Sequence, residues 1–146
     1  MRVAVVAARF DELITRSLLD GCLRALLRHG CREEDTTVVW VPGSFELGTV
    51  AMALAKSMRY DAIICLGCII RGATSHYDHV ASAATAGVAR VGIETGVPCI
   101  FGVLTTENNE QAFDRAGIKG GNRGADAASS AIEMAALMRN ITAPQV

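Results

Sequence analysis

Four short runs of apolar, largely β-branched residues punctuate the chain, at positions 3–8, 37–41, 62–68 and 98–104. Each is bounded by turn-forming or polar residues and none alternates polar with apolar. That pattern predicts strands buried on both faces. Between them the apolar spacing changes to that of helices. Leu13/Ile14, Leu18, Cys22 and Leu26 make one stripe, ended by Gly30. Residues 45–56 make a second helix. The alanine-rich segment 77–95 makes a third, stopped by Gly96-Val97-Pro98. After the last strand come two more helices, at 107–116 and 125–139, the second with a stripe of Ala128, Ile132, Ala135/Ala136 and Arg139. Residues 142–146 read as a frayed end.

The resulting order is β-α-β-α-β-α-β-α-α. Every strand-to-strand connection is long enough to hold a helix, so the strands should run parallel with right-handed crossovers. The predicted fold class is α/β, a three-layer flavodoxin-like sandwich with a central parallel four-stranded sheet flanked by helices. A chain of 146 residues suits a single domain spanning 1–146. In such folds ligands bind beyond the carboxyl ends of the strands. The loops there would carry Arg9-Phe10-Asp11, Pro42-Gly43-Ser44-Phe45-Glu46, the stretch from Ile70 to His79, and Thr105-Thr106-Glu107-Asn108. Four polar or aromatic clusters thus converge on one sheet edge.

Composition narrows the reading. With 51% of residues apolar and only 20% charged, the chain has apolar surface to spare, which favours association with other subunits. A net charge of −1 gives no reason to expect nucleic acid or an anionic membrane as partner. No apolar run reaches the ~18 residues of a membrane span. The first residues read as a strand rather than a signal peptide, so a cytoplasmic location is expected. The five cysteines are odd in number and irregularly spaced, which argues against a disulfide framework. Cys65 and Cys68 have a redox or half-zinc spacing, but in an extended strand their thiols point to opposite faces, as buried hydrophobes do.

The chemistry concentrates in the stretch I-R-G-A-T-S-H-Y-D-H at positions 70–79. Small residues between a strand and a helix let backbone N–H groups approach an anion, and the helix dipole favours it. Thr74 or Ser75 could equally cap the helix, with Asp78 completing a box-like arrangement. His76 falls in the first turn, and its ordinary pKa suits proton transfer near neutrality. His76 and His79 could share a metal only with a third ligand. The remaining histidine, His29, is explained by its place at a helix end. The residues alone leave His76 as either a proton-transfer group or a histidine without chemistry. Phe10 and Phe45, just past strand ends, could cap a core or form a platform for a flat ring. Arg115, Lys119 and Arg123 concentrate positive charge in the glycine-rich segment 115–124, as a solvated loop or an anion clamp. No P-loop, nucleophile elbow or dinucleotide fingerprint is present.

These residues also carry a resemblance. A-R-F-D, V-P-G-S-F-E, G-C-I-I-R-G-A-T-S-H-Y-D, F-G-V-L-T-T-E-N, E-Q-A-F-D-R-A-G-I-K-G-G-N-R-G and S-A-I-E-M-A resemble, in order and over essentially the whole chain, the lumazine synthase family. The resemblance implies condensation of 5-amino-6-ribitylamino-uracil with 3,4-dihydroxy-2-butanone 4-phosphate to 6,7-dimethyl-8-ribityllumazine, in riboflavin biosynthesis, with no cofactor and no metal. It implies that Phe10 stacks on the pyrimidine and that Ser44, Phe45 and Glu46 line the ribityl pocket, with Cys68, Ile69 and Ile70 as its wall. Gly72, Ala73, Thr74 and Ser75 would hold the phosphate, with Arg115 as its charged clamp. His76 would be the main proton-transfer residue and Asp126 its orienting acid. Phe101, Lys119 and Arg123 would reach the site of an adjacent subunit. Two departures stand out. Arg123 replaces a lysine common in bacterial members, keeping charge but changing hydrogen-bond geometry. Shell-forming members carry a longer segment before the first strand, whereas this chain starts almost at it; the assembly implied is a homopentamer or one built from pentamers.

Overall fold

The computed structural model describes residues 1–144. In chain order the elements are β1 (Val3–Ala8), α1 (Glu12–Arg28), β2 (Thr36–Val41), α2 (Leu47–Lys56), β3 (Ala62–Ile70), α3 (His76–Thr95), β4 (Cys99–Thr106), α4 (Asn109–Arg115) and α5 (Arg123–Thr142). Single 3₁₀ turns at Glu33–Asp35 and Ser44–Glu46 precede β2 and α2. All strand pairs are parallel, in the order β2-β1-β3-β4, with Val3 beside both Thr36 and Ala62, and Ile63 beside Cys99. The fold is the expected three-layer α/β, flavodoxin-like sandwich.

The alternation of side chains along the strands divides the core in two. Val3, Val5, Ile64, Leu66 and Cys68 pack with α1, α4 and α5. Ala4, Val6, Ile63, Cys65 and Ile69 pack with α2 and α3. Cys65 and Cys68 therefore lie on opposite faces, as expected. Leu66 is fully enclosed, and truncating it to alanine would cost ~2–5 kcal/mol. In the layer of α2 and α3 two glycines meet where the helices touch: a Cβ on Gly48 would stand 3.0 Å from the Cα of Gly87. That contact lets α2 lie close beside the helix that carries His76.

Helix ends follow the chemistry of their residues. α3 stops at Gly96, whose φ of 75° returns an N–H to the Gly92 carbonyl. α1 stops at His29-Gly30, where the His29 ring Nδ1 lies 2.7 Å from the Ala25 carbonyl oxygen. The expectation of uniformly buried strands needs correction. β1 and β3 are central and enclosed, but β2 and the start of β4 are the sheet's edges and stay partly exposed. In α1, Leu13 faces solvent while Ile14 is buried. In α5 the buried face is Ala127, Ala128, Ala131 and Ala135, and Ala136 and Arg139 are outside. Of the expected frayed end, Thr142 closes α5, and residues 145–146 lie outside the described residues.

Candidate active site

The strand order reverses between β1 and β3, and a cavity of about 530 Å³ opens beyond their carboxyl ends. The loop after β1 supplies Phe10. The turn after β2 supplies Pro42, Gly43, Ser44, Phe45 and Glu46. β3 and the loop beyond it supply Cys68, Ile69, Ile70, Gly72 and Thr74, and the first turns of α3 supply His76, Tyr77 and Val80. Phe10 and Phe45 are 72% and 63% exposed, which settles them as rim aromatics rather than core caps. Ser44 is buried behind Phe45, so close to β3 that a Cβ on Gly67 would fall 2.6 Å from its Oγ. Ala73 and Ser75 belong to the same exposed loop without lining the cavity.

The capping expectation for this loop is not met. Ser75 holds the N-cap place with helical φ and ψ, and no side chain caps the helix. The His76 N–H makes only a long 3.4 Å contact with Thr74 Oγ1. Asp78 does not complete a box; its Oδ1 instead lies 3.4 Å from Nη1 of Arg71. The helix thus presents N–H groups and the positive end of its dipole beside the cavity, an arrangement suited to an anion. The one thiol in the cavity wall, Cys68, is not a ready nucleophile. Burial, with the nearby Asp11 charge adding to it, pushes the Cys68 thiol up to about 12, so it stays protonated. Burial likewise raises the Asp11 carboxyl above its ordinary value.

A second cavity, about 380 Å³, lies along β4 and α5. Phe101, Thr105, Arg115, Arg123, Asp126 and Ser130 contribute to its wall. Phe101 is 39% exposed. Among the described residues, neither arginine nor Asp126 forms an ion pair. Arg115 ends α4, and Arg123 opens α5. Asn122 fixes the loop between them. Its Oδ1 accepts from the N–H groups of Gly124 and Ala125, and its Nδ2 donates to the Ser17 and Ala116 carbonyls at 2.9 and 3.1 Å. Gly124 must lack a side chain here, because a Cβ would collide with the Leu18 carbonyl oxygen of α1. Lys119 is exposed at the loop tip and lines neither cavity.

The expected site residues therefore gather in two groups. Within one chain, Arg115 does not meet the loop at 72–75, and Asp126 does not meet His76. The sequence of the whole chain is decisive about kinship: residues 1–139 match the 6,7-dimethyl-8-ribityllumazine synthase family. The chain belongs to that family. Membership makes it one of a family of enzymes of riboflavin biosynthesis. Both cavities fall inside the span matched to the lumazine synthase family, as do all residues assigned to the site by resemblance. Among the described residues, no three His, Cys, Asp or Glu side chains gather where they could hold a metal ion, and no helix is long and apolar enough to cross a membrane.

Sequence reading missed Val80 in the first cavity and Ser130 in the second, while Tyr77 and Thr105 lay in loops expected at the site but were given no role of their own. Val80 had a signal, since it stands four residues after His76 on the same helix face. Ser130 likewise stands one turn beyond Asp126. Asn122 lay within a quoted motif, but its partner Ser17 is 105 positions away. Arg71, also inside a quoted motif, binds Glu107 across 36 positions.

Proposed function

We propose that this chain condenses 5-amino-6-ribitylamino-uracil with 3,4-dihydroxy-2-butanone 4-phosphate to give 6,7-dimethyl-8-ribityllumazine, phosphate and water, acting as one lumazine synthase domain. The observation that carries this reading is the first cavity: two exposed aromatic rings, a buried serine and a carboxylate face an uncapped helix N-terminus with a histidine in its first turn. Phe10 stacks on the pyrimidine. Ser44, Phe45 and Glu46 take the ribityl chain against the wall of Cys68, Ile69 and Ile70. The N–H groups and hydroxyls of residues 72–75 take the phosphate. The amine of the pyrimidine then attacks the ketone, losing water to form an imine; phosphate leaves, and ring closure expels a second water. Each step moves protons, and His76 is the group placed to accept and return them. Such general acid–base help is worth about 10²–10⁴-fold, added to the gain from holding two reactants together.

The first cavity has no arginine or lysine in its wall, whereas the second has two arginines and no histidine. This complementarity supports a homo-oligomer, a pentamer or an assembly of pentamers, in which the second cavity of one subunit completes the first of its neighbour. Arg115 then clamps the phosphate, Asp126 orients His76, and Phe101, Lys119 and Arg123 close over the pyrimidine side. The reading needs no cofactor or metal, and places the protein in the cytoplasm. The test is to mix both substrates with the purified protein and follow lumazine absorbance. Acceleration over the spontaneous condensation is the expected result, and none would overturn the assignment.

A further inference from the structure

One side chain outside both cavities holds the first cavity's anion loop from behind. Arg71 follows the last residue of β3, and its N–H donates to the Thr106 carbonyl at 2.9 Å, at the end of β4. Its guanidinium makes three contacts at once. Nε donates to Glu107 Oε2 at 2.8 Å, Nη1 lies 3.4 Å from Asp78 Oδ1, and the group sits 4.3 Å over the Tyr77 ring. Glu107 is itself fixed, since its N–H donates to Gln111 Oε1 at 2.9 Å and the Gln111 N–H donates to Asn108 Oδ1. A continuous set of bonds therefore runs from the start of α4, through Arg71, to the first turn of α3.

The loop it spans has little else to hold it. Among the described residues, the only hydrogen bonds of residues 72–75 run to the N–H groups just ahead in α3: His76 to Thr74 Oγ1, and Asp78 and His79 to the Ser75 carbonyl. Gly72 has nothing against it within 4 Å of where a Cβ would stand. The clasp closes around this loop and grips the two residues, Tyr77 and Asp78, that follow His76. We propose that Arg71 is a positioning residue: it sets the angle between the end of β3 and the first turn of α3, and so the place of the anion-binding N–H groups and of the His76 ring. This inference rests on the reaction proposed above. Its logic separates it from a general stabiliser, because the side chains of Arg71, Glu107 and Asp78 are 41%, 59% and 62% exposed, and ion pairs so placed contribute little to global stability. Lysine cannot replace it fully. A point charge does not bind two carboxylates in a plane while lying flat on a ring.

The test compares Arg71→Ala and Arg71→Lys with wild type, using Arg90→Ala as a control that breaks another exposed pair on α3, with Glu94. Three quantities are read: thermal midpoint, hydrogen exchange of the amides at 72–78 with and without inorganic phosphate, and steady-state kinetics with each substrate varied. In Arg71→Ala the midpoint should stay near wild type, the 72–78 amides should exchange faster, and phosphate should no longer protect them. Turnover with the phosphate-bearing substrate should fall roughly 10–100-fold in kcat/KM, while KM for the pyrimidine stays within about twofold. Arg71→Lys should fall between, and Arg90→Ala should match wild type throughout. Unchanged exchange in Arg71→Ala overturns the clasp. Faster exchange with unchanged kinetics overturns its positioning role. A wild type that does not accelerate the condensation overturns the reaction instead, and phosphate protection then decides the clasp: lost in Arg71→Ala it supports the clasp, and equal to wild type or absent from both it overturns it.

Discussion

The two cavities divide the chemistry between them. The first is a largely apolar cleft at the sheet's reversal point, walled by Phe10, Phe45 and Ile69, with Ser44 and Glu46 on one side and the helix end with Thr74 and His76 as its polar groups. The second is smaller, runs along an edge strand, and carries Arg115, Arg123 and Asp126. One can hold a flat ring and move a proton, and the other can neutralise an anion. Their supports differ too. The first cavity's loop is gripped from outside by an exposed cation. The loop behind the second is tied from inside by the half-buried amide of Asn122, which satisfies two donors and two acceptors. A charge-held loop can yield to a ligand at small cost, whereas an amide-tied loop is part of the folded framework.

The largest effect should come from setting one cavity against the other. His76→Ala and Arg115→Ala should each lower kcat/KM by about 10²–10³-fold when pure. Unfolded and refolded together, the two inactive proteins should recover a substantial share of activity, because some interfaces then pair an intact first cavity with an intact second one. No recovery on mixing would mean that each chain works with its own cavities alone. A mid-sized effect should separate the two supports. Asn122→Ala removes the cap of α5 and two further hydrogen bonds, and should lower stability by about 2–3 kcal/mol in urea titration, far more than Arg71→Ala. Equal losses would erase the distinction between the loops.

The smallest effect belongs to Asp11, whose carboxyl lies near the first cavity's Cys68. Burial raises its folded pKa above the ordinary 3.8. In that window the folded chain holds more proton than the unfolded one, so stability falls as pH rises through it and the deficit persists at neutral pH. Asp11→Asn should therefore raise the melting midpoint at pH 7 by roughly 1–2 °C, with no gain below pH 3.8. Asparagine tolerates the left-handed backbone at this position, where φ is 59°. A lower midpoint at pH 7 would show that the charge helps α1 more than burial penalises it.

The sheet was legible in the sequence because its strands are short apolar runs with clear ends. β1 matches its predicted limits, and β3 and β4 extend two residues further. Those extra residues, Ile69 and Ile70 against Thr105 and Thr106, are defined by pairing, which periodicity along one strand does not reveal. The exposure of β2 was hidden for the same reason: Val38, Val39 and Trp40 look like core residues, but strand order makes them an edge. The start of α2 was read at Phe45, yet the chain first makes a 3₁₀ turn that holds Ser44 against β3 and turns Phe45 outward. The site residues were legible by type and by loop. Their partition into two cavities was only partly so: the resemblance set Phe101 and Arg123 apart, but grouped Arg115 and Asp126 with the loop and histidine of the first cavity, and which elements wall one cavity depends on tertiary packing. Arg71 and Asn122 act through partners far away in sequence, so neither announced its role.

The amide of Asn122 also bears on how the chain is made. It joins the start of α5 to α1 through the Ser17 carbonyl, across 105 positions of the chain. During synthesis α1 emerges early, and the part of its apolar face that packs on α5 rather than on the sheet stays open until α5 leaves the ribosome. A chain without α5 would keep an apolar seam open along α1 and leave the loop between α4 and α5 without its Asn122 ties.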